Sequence, residues 1–241
     1  MLDHRVLEPE DMDDPAIATE RLHGALTGLT RINFVSDSPR IVWWPIARLA
    51  RDLAVDRLRV LDIATGAGDV PRALWRRANQ AGLSLEIQGI DFSQRSIDFA
   101  RQQAQETNTP VTFKCQNALT DDLPTDFDVV MCSLFLHHLN NEDATKLLAR
   151  MAAIARRLVL VSDLCRGWHG LTLAYIASRV LTRCEVVHVD ALRSVRAAFT
   201  IAELQEMASK TGLAKVTIAP CWPARMLLTW DRKVGQASSL P

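Results

Sequence analysis

The sequence predicts an α/β fold with a mostly parallel sheet, and three observations point there. Val60, Leu61 and Ile63 form a short apolar run suited to a buried strand, which breaks into Gly66 and Gly68 and gives way to a helical pattern over Asp69 to Gln80. Strand-like and helix-like segments then alternate along the chain. Phe127 to Ser133, F-D-V-V-M-C-S, is nearly continuous in apolar residues, as a central parallel strand buried on both faces should be.

In chain order, residues 1–15 are acidic and proline-punctuated, with Glu8, Glu10, Asp11, Asp13 and Asp14 beside Pro9 and Pro15. They read as an extended arm that buries little surface. Helical spacing runs from Ala16 to about Asn33 and from about Pro39 to Leu53, giving a helical cap over 16–55 ahead of the core. After the glycine turn, Leu83 to Ile90 reads as the second strand and stops at Asp91. Ser93 caps the next helix, which runs to about Glu106, and Thr109-Pro110 breaks the chain before a strand over Val111 to Gln116. A helix over Asn141 to Ala155 and a strand over Leu158 to Ser162 follow the central strand, with Asp163 at the exit. The apolar stretch from Gly170 to about Arg183 is expected as a lid helix within an insertion at about 166–198. A helix over Ile201 to Thr211 ends at Gly212, where a C-cap is expected. Ala214 to Ala219 and Arg225 to Asp231 should close an antiparallel hairpin, leaving 233–241 as a disordered tail. The 241 residues, 48% of them apolar, suffice for one domain whose core spans 56–232.

The glycine turn could hold either of two cofactor types. Pro71 occupies the third small position of G-x-G-x-x-G and is tolerated there because it falls in the helix's first turn. Asp62, at the strand end, would repel a pyrophosphate but accept hydrogen bonds from a cationic ligand's amino group. A sulfonium cofactor is favoured over a dinucleotide on that ground, and an NAD-dependent oxidoreductase becomes the outside alternative.

Val60 to Leu74, V-L-D-I-A-T-G-A-G-D-V-P-R-A-L, resembles motif I of the class I S-adenosylmethionine (SAM) methyltransferases, and the later elements arrive in that family's order. The resemblance implies a Rossmann-like fold, with a seven-stranded mostly parallel sheet, an antiparallel C-terminal hairpin and helices on both faces. It also implies a SAM site: Asp62, Gly66 and Gly68 around the methionine moiety, Asp91 at the ribose, Asn117 and Ala118 about the adenine, and Ala64, Phe92 and Ser133 as further cofactor-binding residues. Arg31, in L-T-R-I-N, is a candidate for the SAM carboxylate.

His137 and His138 directly follow the strand Phe127 to Ser133. An imidazole with an ordinary pKa near 6.5 can accept a proton around neutral pH. The segment S-L-F-L-H-H-L resembles that of small-molecule methyltransferases, in which a histidine here and an acidic residue after the next strand are base and orienter. Those positions are His137 and Asp163, with His138 as a second candidate base. Asp163 could instead pair with Arg166. No N-P-P-Y type motif is present, which disfavours amide or base nitrogen acceptors. Trp43, Trp44, Arg166, Trp168, His169, Tyr175 and Arg196 are candidate acceptor-lining residues, although Trp and Tyr on such helices commonly pack in a core.

The chain as a whole, from E-P-E-D-M-D-D-P through R-I-N to S-V-R-A-A-F-T, resembles the bacterial methyltransferases associated with type III polyketide synthases. That implies O-methylation of a phenolic polyketide or phenolic lipid, with S-adenosylhomocysteine as the second product. C-methylation of a quinone-type ring and a catalytically inactive SAM-binding module are the alternatives. The balance of 28 basic and 28 acidic residues gives no footprint for nucleic acid. The five cysteines lack metal-ligand spacing, and no metal is expected. No stretch approaches the roughly 20 apolar residues of a membrane span, and a cytoplasmic protein is expected. A homodimer is compatible with the sequence.

Overall fold

A computed structural model describes residues 2–14, 16–211, 213 and 215–232. The expected cap at Gly212, the hairpin's start at Ala214, Pro15 and the tail over 233–241 lie outside the described residues.

Seven strands form one sheet: β1 (Arg57–Ile63), β2 (Ser84–Asp91), β3 (Thr112–Cys115), β4 (Phe127–Ser133), β5 (Ala155–Leu164), β6 (Thr217–Cys221) and β7 (Arg225–Asp231). Their order is β3-β2-β1-β4-β5-β7-β6. The first five are parallel, and β7 enters antiparallel to both β5 and β6. The sequence reading of a parallel sheet with a closing hairpin therefore holds. The chain moves outward from β1 to β3 and then returns to place β4 on the other side of β1, which opens a crevice at the carboxyl ends of β1 and β4.

Strand periodicity divides the core between two faces. Leu61, Ile63, Val130, Cys132, Val159 and Val161 pack with Leu147, Leu148 and Met151 of α5 (Asn141–Ile154, the fifth helix in chain order) and with Leu204 and Met207 of α8 (Ile201–Lys210). On the other face Leu58, Val60, Val129, Met131, Ile87 and Leu160 meet α2 (Ser38–Leu53), α3 (Asp69–Gln80) and α4 (Gln94–Glu106). Full burial of each such aliphatic side chain contributes about 1.5–3 kcal/mol. Capping is local: Ser93 accepts from the Ser96 amide at the start of α4, and Thr200 forms a capping box with Glu203 at α8.

A third group of helices covers the carboxyl end of the sheet. The first helix, α1 (Thr19–Val35), packs Leu22 and Leu26 on Ala67 of the glycine turn, and Ala25 on Val186 and Val187 of α7 (Glu185–Ala197). Helix α6 (Trp168–Leu181) is formed by the apolar stretch that begins near Gly170. At Gly28 a Cβ would stand 2.8 Å from Thr182 Oγ1, so α1 approaches the α6–α7 junction more closely than a side chain would allow.

Most of residues 2–14 are exposed, but Glu10 is only 8% exposed and the arm is tied to the domain. Asp190 accepts from the backbone amides of Asp11 and Met12, and Arg196 O accepts from the amide of Val6. Arg5 spreads its guanidinium over the Phe199 ring while donating to the carbonyls of Ala197, His137 and Leu139.

Candidate active site

The crevice begins at the end of β1. Asp62 is buried; its Oδ2 accepts from Thr65 Oγ1 at 2.7 Å, whereas Oδ1 has no hydrogen-bond partner among the described residues. Burial pushes this carboxyl up to about 7, opposed by the Thr65 hydrogen bond and assisted by Asp69 and Asp91. A buried carboxyl with one open acceptor suits a cationic donor. Ser133 Oγ, at the matching end of β4, is also buried without a partner. These two orphaned oxygens fit an absent polar ligand at the strand ends.

Backbone geometry between them is special. Gly66 and Gly68 have φ of 52° and 66°, and so do two non-glycine residues that follow the strands, Ala64 at 56° and Leu134 at 55°. Such conformations in residues with a Cβ cost of order 1–3 kcal/mol and concentrate at functional sites. The glycines differ in surroundings. At Gly68 a Cβ would stand 2.6 Å from the Phe113 ring, whereas at Gly66 it would meet nothing within 4 Å. Gly66 therefore borders open space.

Asp91 binds this turn to β2: Oδ2 accepts from the Gly66 amide and Oδ1 from the Ser93 amide, both at 2.9 Å. Burial raises its pKa against these two bonds, with Asp13 raising and His138 lowering it further. Each carboxylate oxygen retains a lone pair for a hydroxyl. Phe92 beside it is exposed. Asn117 uses Oδ1 to accept from the Leu119 amide at 2.9 Å, which makes it a turn residue in addition to its place at the strand end, and Ala118 is buried.

His137 and His138 lie in a 3-10 turn, Leu136–His138, that β4 delivers to the same end. His137 is 3% exposed, and its Nδ1 stands 2.6 Å from Asp163 Oδ1. The backbone amide of His137 donates to the other oxygen, Oδ2, at 3.0 Å. Burial alone would raise the Asp163 pKa, but the charge and hydrogen bond of His137 outweigh it and hold the carboxyl below its ordinary value. Asp163 therefore fixes the ring and leaves Nε2 as its reactive nitrogen.

The partner choice of Arg166 is equally clear. It forms a two-pronged ion pair with Glu203 at 2.6 and 2.9 Å and donates to the carbonyls of Leu2 and Ala198, so it does not pair with Asp163.

Glu10 was missed by the sequence reading. It reaches the histidines from the arm, with Oε1 3.8 Å from His137 Nε2 and Oε2 3.9 Å from His138 Nε2, and Ser194 Oγ donates to it. His138 Nδ1 lies 3.2 Å from Asp13 Oδ2. Burial would lower the His138 pKa, but the Asp13 hydrogen bond and the charges of Glu10, Asp13 and Asp163 raise it to about 9. At neutral pH His138 is thus a cation, while His137 holds the geometry expected of a proton acceptor.

Other candidates lie apart from this cluster. Arg31 is exposed, and within its segment Asn33 turns inward to donate to Asp69 at 3.0 Å and to accept from Ser38 and Arg225. Trp43 packs in the core among α2 and α3 side chains. Trp44, Trp168, His169, Tyr175 and Arg196 are exposed, with Arg179 stacked 3.7 Å above the Tyr175 ring.

Comparison with known proteins bears on this arrangement. Residues 60–157 match the family model described as a methyltransferase domain, which contains the glycine turn, Asp91 and both histidines. The chain is 29% identical over 156 residues to a ubiquinone biosynthesis O-methyltransferase of Rhodopseudomonas palustris (strain BisB5), covering 64% of this chain and 57% of the relative. It is 38% identical over 122 residues to the demethylmenaquinone methyltransferase of Deinococcus radiodurans, covering 49% and 48%. The chain thus spans about half the length of the curated relatives it matches. Among solved structures, the magnesium protoporphyrin IX methyltransferase of Synechocystis PCC 6803 with bound SAH aligns at a TM-score of 0.56 and 20% identity, covering 92% and 91% of the two chains. The plantazolicin methyltransferase BamL, in complex with a triazolic desmethylPZN analog and SAH, aligns at a TM-score of 0.63 and 14% identity over 88% and 96%. The fold is that of the class I methyltransferases.

Proposed function

We propose that this chain, which carries a methyltransferase domain over residues 60–157, is a SAM-dependent O-methyltransferase acting on a phenolic hydroxyl of a small aromatic molecule, of the phenolic polyketide or phenolic lipid type. The observation that carries this reading is the buried His137–Asp163 pair beside a glycine crevice with an unpartnered carboxylate oxygen on Asp62.

Asp62 would hold the cofactor's ammonium, Gly66 would leave room for its methionine moiety, Asp91 would accept from the ribose hydroxyls and Ala118 would border the adenine. When bound, SAM supplies an electrophilic methyl group on a cationic sulfur. The chain's own contribution is positioning and proton removal. A phenol has a pKa near 10, so at neutral pH its oxygen gains from a nearby proton acceptor. His137 Nε2 takes that proton, and Asp163 keeps the ring in the required tautomer and stabilises the imidazolium that results. Burial of the pair excludes water that would otherwise compete for the same geometry.

A second reading, C-methylation of a quinone-type ring, is favoured by the similarity to a demethylmenaquinone methyltransferase. Incubation of the purified protein with SAM and a panel of alkylated phenols and hydroquinones separates the two by product structure. A new methyl ether supports the proposal. A ring methyl replaces it with the second reading, and SAM binding without turnover on any acceptor leaves an inactive binding module.

A further inference from the structure

We propose that Glu10, His137 and His138 form a binding site for a divalent transition-metal ion of the zinc class, and that the bound ion silences the enzyme by occupying the nitrogen of His137 that would accept the acceptor's proton. One ligand atom from each of the three lies within 4.8 Å of the other two. What lifts this above a chance grouping is the direction of the rings. Each imidazole has its Nδ1 engaged by a carboxylate, His137 by Asp163 at 2.6 Å and His138 by Asp13 at 3.2 Å. Each Nε2 faces the same buried carboxylate, at 3.8 and 3.9 Å, and an ion bound there displaces the proton that His138 carries at neutral pH. Carboxylate-oriented histidines of this kind are what supports metal-ligating imidazoles in proteins.

The dimensions and charges agree. A tetrahedral zinc ion with bonds of about 2.0–2.2 Å sets its ligand atoms roughly 3.4 Å apart, so closing a group whose ligand atoms lie within 4.8 Å of one another needs shifts of up to about 1.4 Å. Two imidazoles and one carboxylate suit zinc, cobalt or copper better than the all-oxygen shells of magnesium and calcium. Glu10, Asp13 and Asp163 supply negative charge on three sides. The carboxylate is held in place by Ser194, and the arm that carries it is clamped by Arg5 and Asp190. Three protein ligands leave a fourth position open, and the His138 side chain, 21% exposed, provides the way in. The ion and the acceptor's proton compete for one lone pair on His137, so the ion is an inhibitor and turnover does not require it.

Binding is independent of the methyl-transfer reading; only the inhibition rests on it. The test is titration of chelator-treated full-length protein with cobalt(II), followed by its visible absorption, and with zinc by calorimetry. One equivalent should bind at micromolar concentration or tighter, without the near-ultraviolet thiolate band that cysteine ligation would add. Glu10→Gln and His138→Gln should each weaken binding at least tenfold while melting like the parent. Asp13→Asn should weaken it by up to tenfold with the ligands intact. Zinc should suppress turnover, and a chelator should restore it. Absence of binding, a thiolate band, or affinity unchanged in Glu10→Gln overturns the site. Binding without inhibition in a protein that turns over overturns the silencing. If no acceptor is turned over, the functional reading fails and the titration alone decides the site.

Discussion

Asp163 grips His137 twice, through Oδ1 to the ring Nδ1 at 2.6 Å and through Oδ2 from the backbone amide at 3.0 Å. The second contact fixes the turn and the first fixes the ring, so a single buried carboxylate sets both the position and the tautomer of the imidazole.

His137→Ala should lower kcat by about 10²–10⁴-fold with an alkylphenol, while the dissociation constant for S-adenosylhomocysteine stays within about twofold. The deficit should shrink with more acidic phenols, which need less help losing their proton. Steady-state kinetics across a phenol series checks this, and a deficit independent of acceptor pKa would assign His137 a merely structural role.

Asp62 predicts a pH dependence of cofactor binding. Its folded-state pKa of about 7 lies above the ordinary carboxylate value of 3.8, so folding favours the protonated form. This contribution to the stability of the ligand-free protein is complete below about 3.8 and is lost as pH rises through about 7. A cationic ligand reverses the preference. Binding of S-adenosylhomocysteine, through its ammonium, should release up to one proton below pH ~7 and tighten as pH rises towards it. Calorimetry in buffers of different ionisation enthalpy measures that proton directly.

The two turn glycines should respond differently to a methyl group. Gly68→Ala drives a Cβ to 2.6 Å from Phe113 at a φ of 66°, and is expected to cost about 2–4 kcal/mol of stability. Gly66→Ala has open space and should cost about 1–2 kcal/mol, yet weaken cofactor binding because the added methyl enters the crevice. Urea melts and binding titrations on both variants separate the effects.

Arg225 ties the start of β7 to the helical cap. Its buried guanidinium donates to Ser38 Oγ at 2.7 Å, Ser36 Oγ at 3.1 Å and Asn33 Oδ1 at 3.3 Å, and Asn33 in turn donates to Asp69. Arg225→Leu removes three donor contacts from this network, leaving the Ser36–Ser38 and Ser38–Asn33 hydrogen bonds, and should destabilise the protein by about 3 kcal/mol, measurable by denaturant unfolding.

Much of this was legible in the sequence because it is local. Helix α3 and strand β4 have the bounds that the glycine turn and the apolar run predict, and Ser93 caps α4 as its residue type suggests. The His137–Asp163 contact was legible through the resemblance of S-L-F-L-H-H-L to small-molecule methyltransferases, and the structure meets it because His137 follows β4 and Asp163 lies near the end of the neighbouring parallel strand β5. What escaped depends on long-range packing. Helix α7 is rich in β-branched valines and carries no capping side chain, so propensity gave no signal for it. Glu10 sits in an acidic, proline-flanked arm, and only the tertiary contact with Ser194 and the histidines buries it. Arg31 and Asn33 are two residues apart on α1, and helical phase turns the second inward and the first to solvent.

Cofactor identity is read by calorimetric titration with S-adenosylhomocysteine, alongside NADH and the Asp91→Ala variant. Micromolar binding of S-adenosylhomocysteine, weakened at least tenfold in Asp91→Ala and absent for NADH, is the predicted result. Preference for NADH, or no binding of S-adenosylhomocysteine to the folded protein, would contradict it.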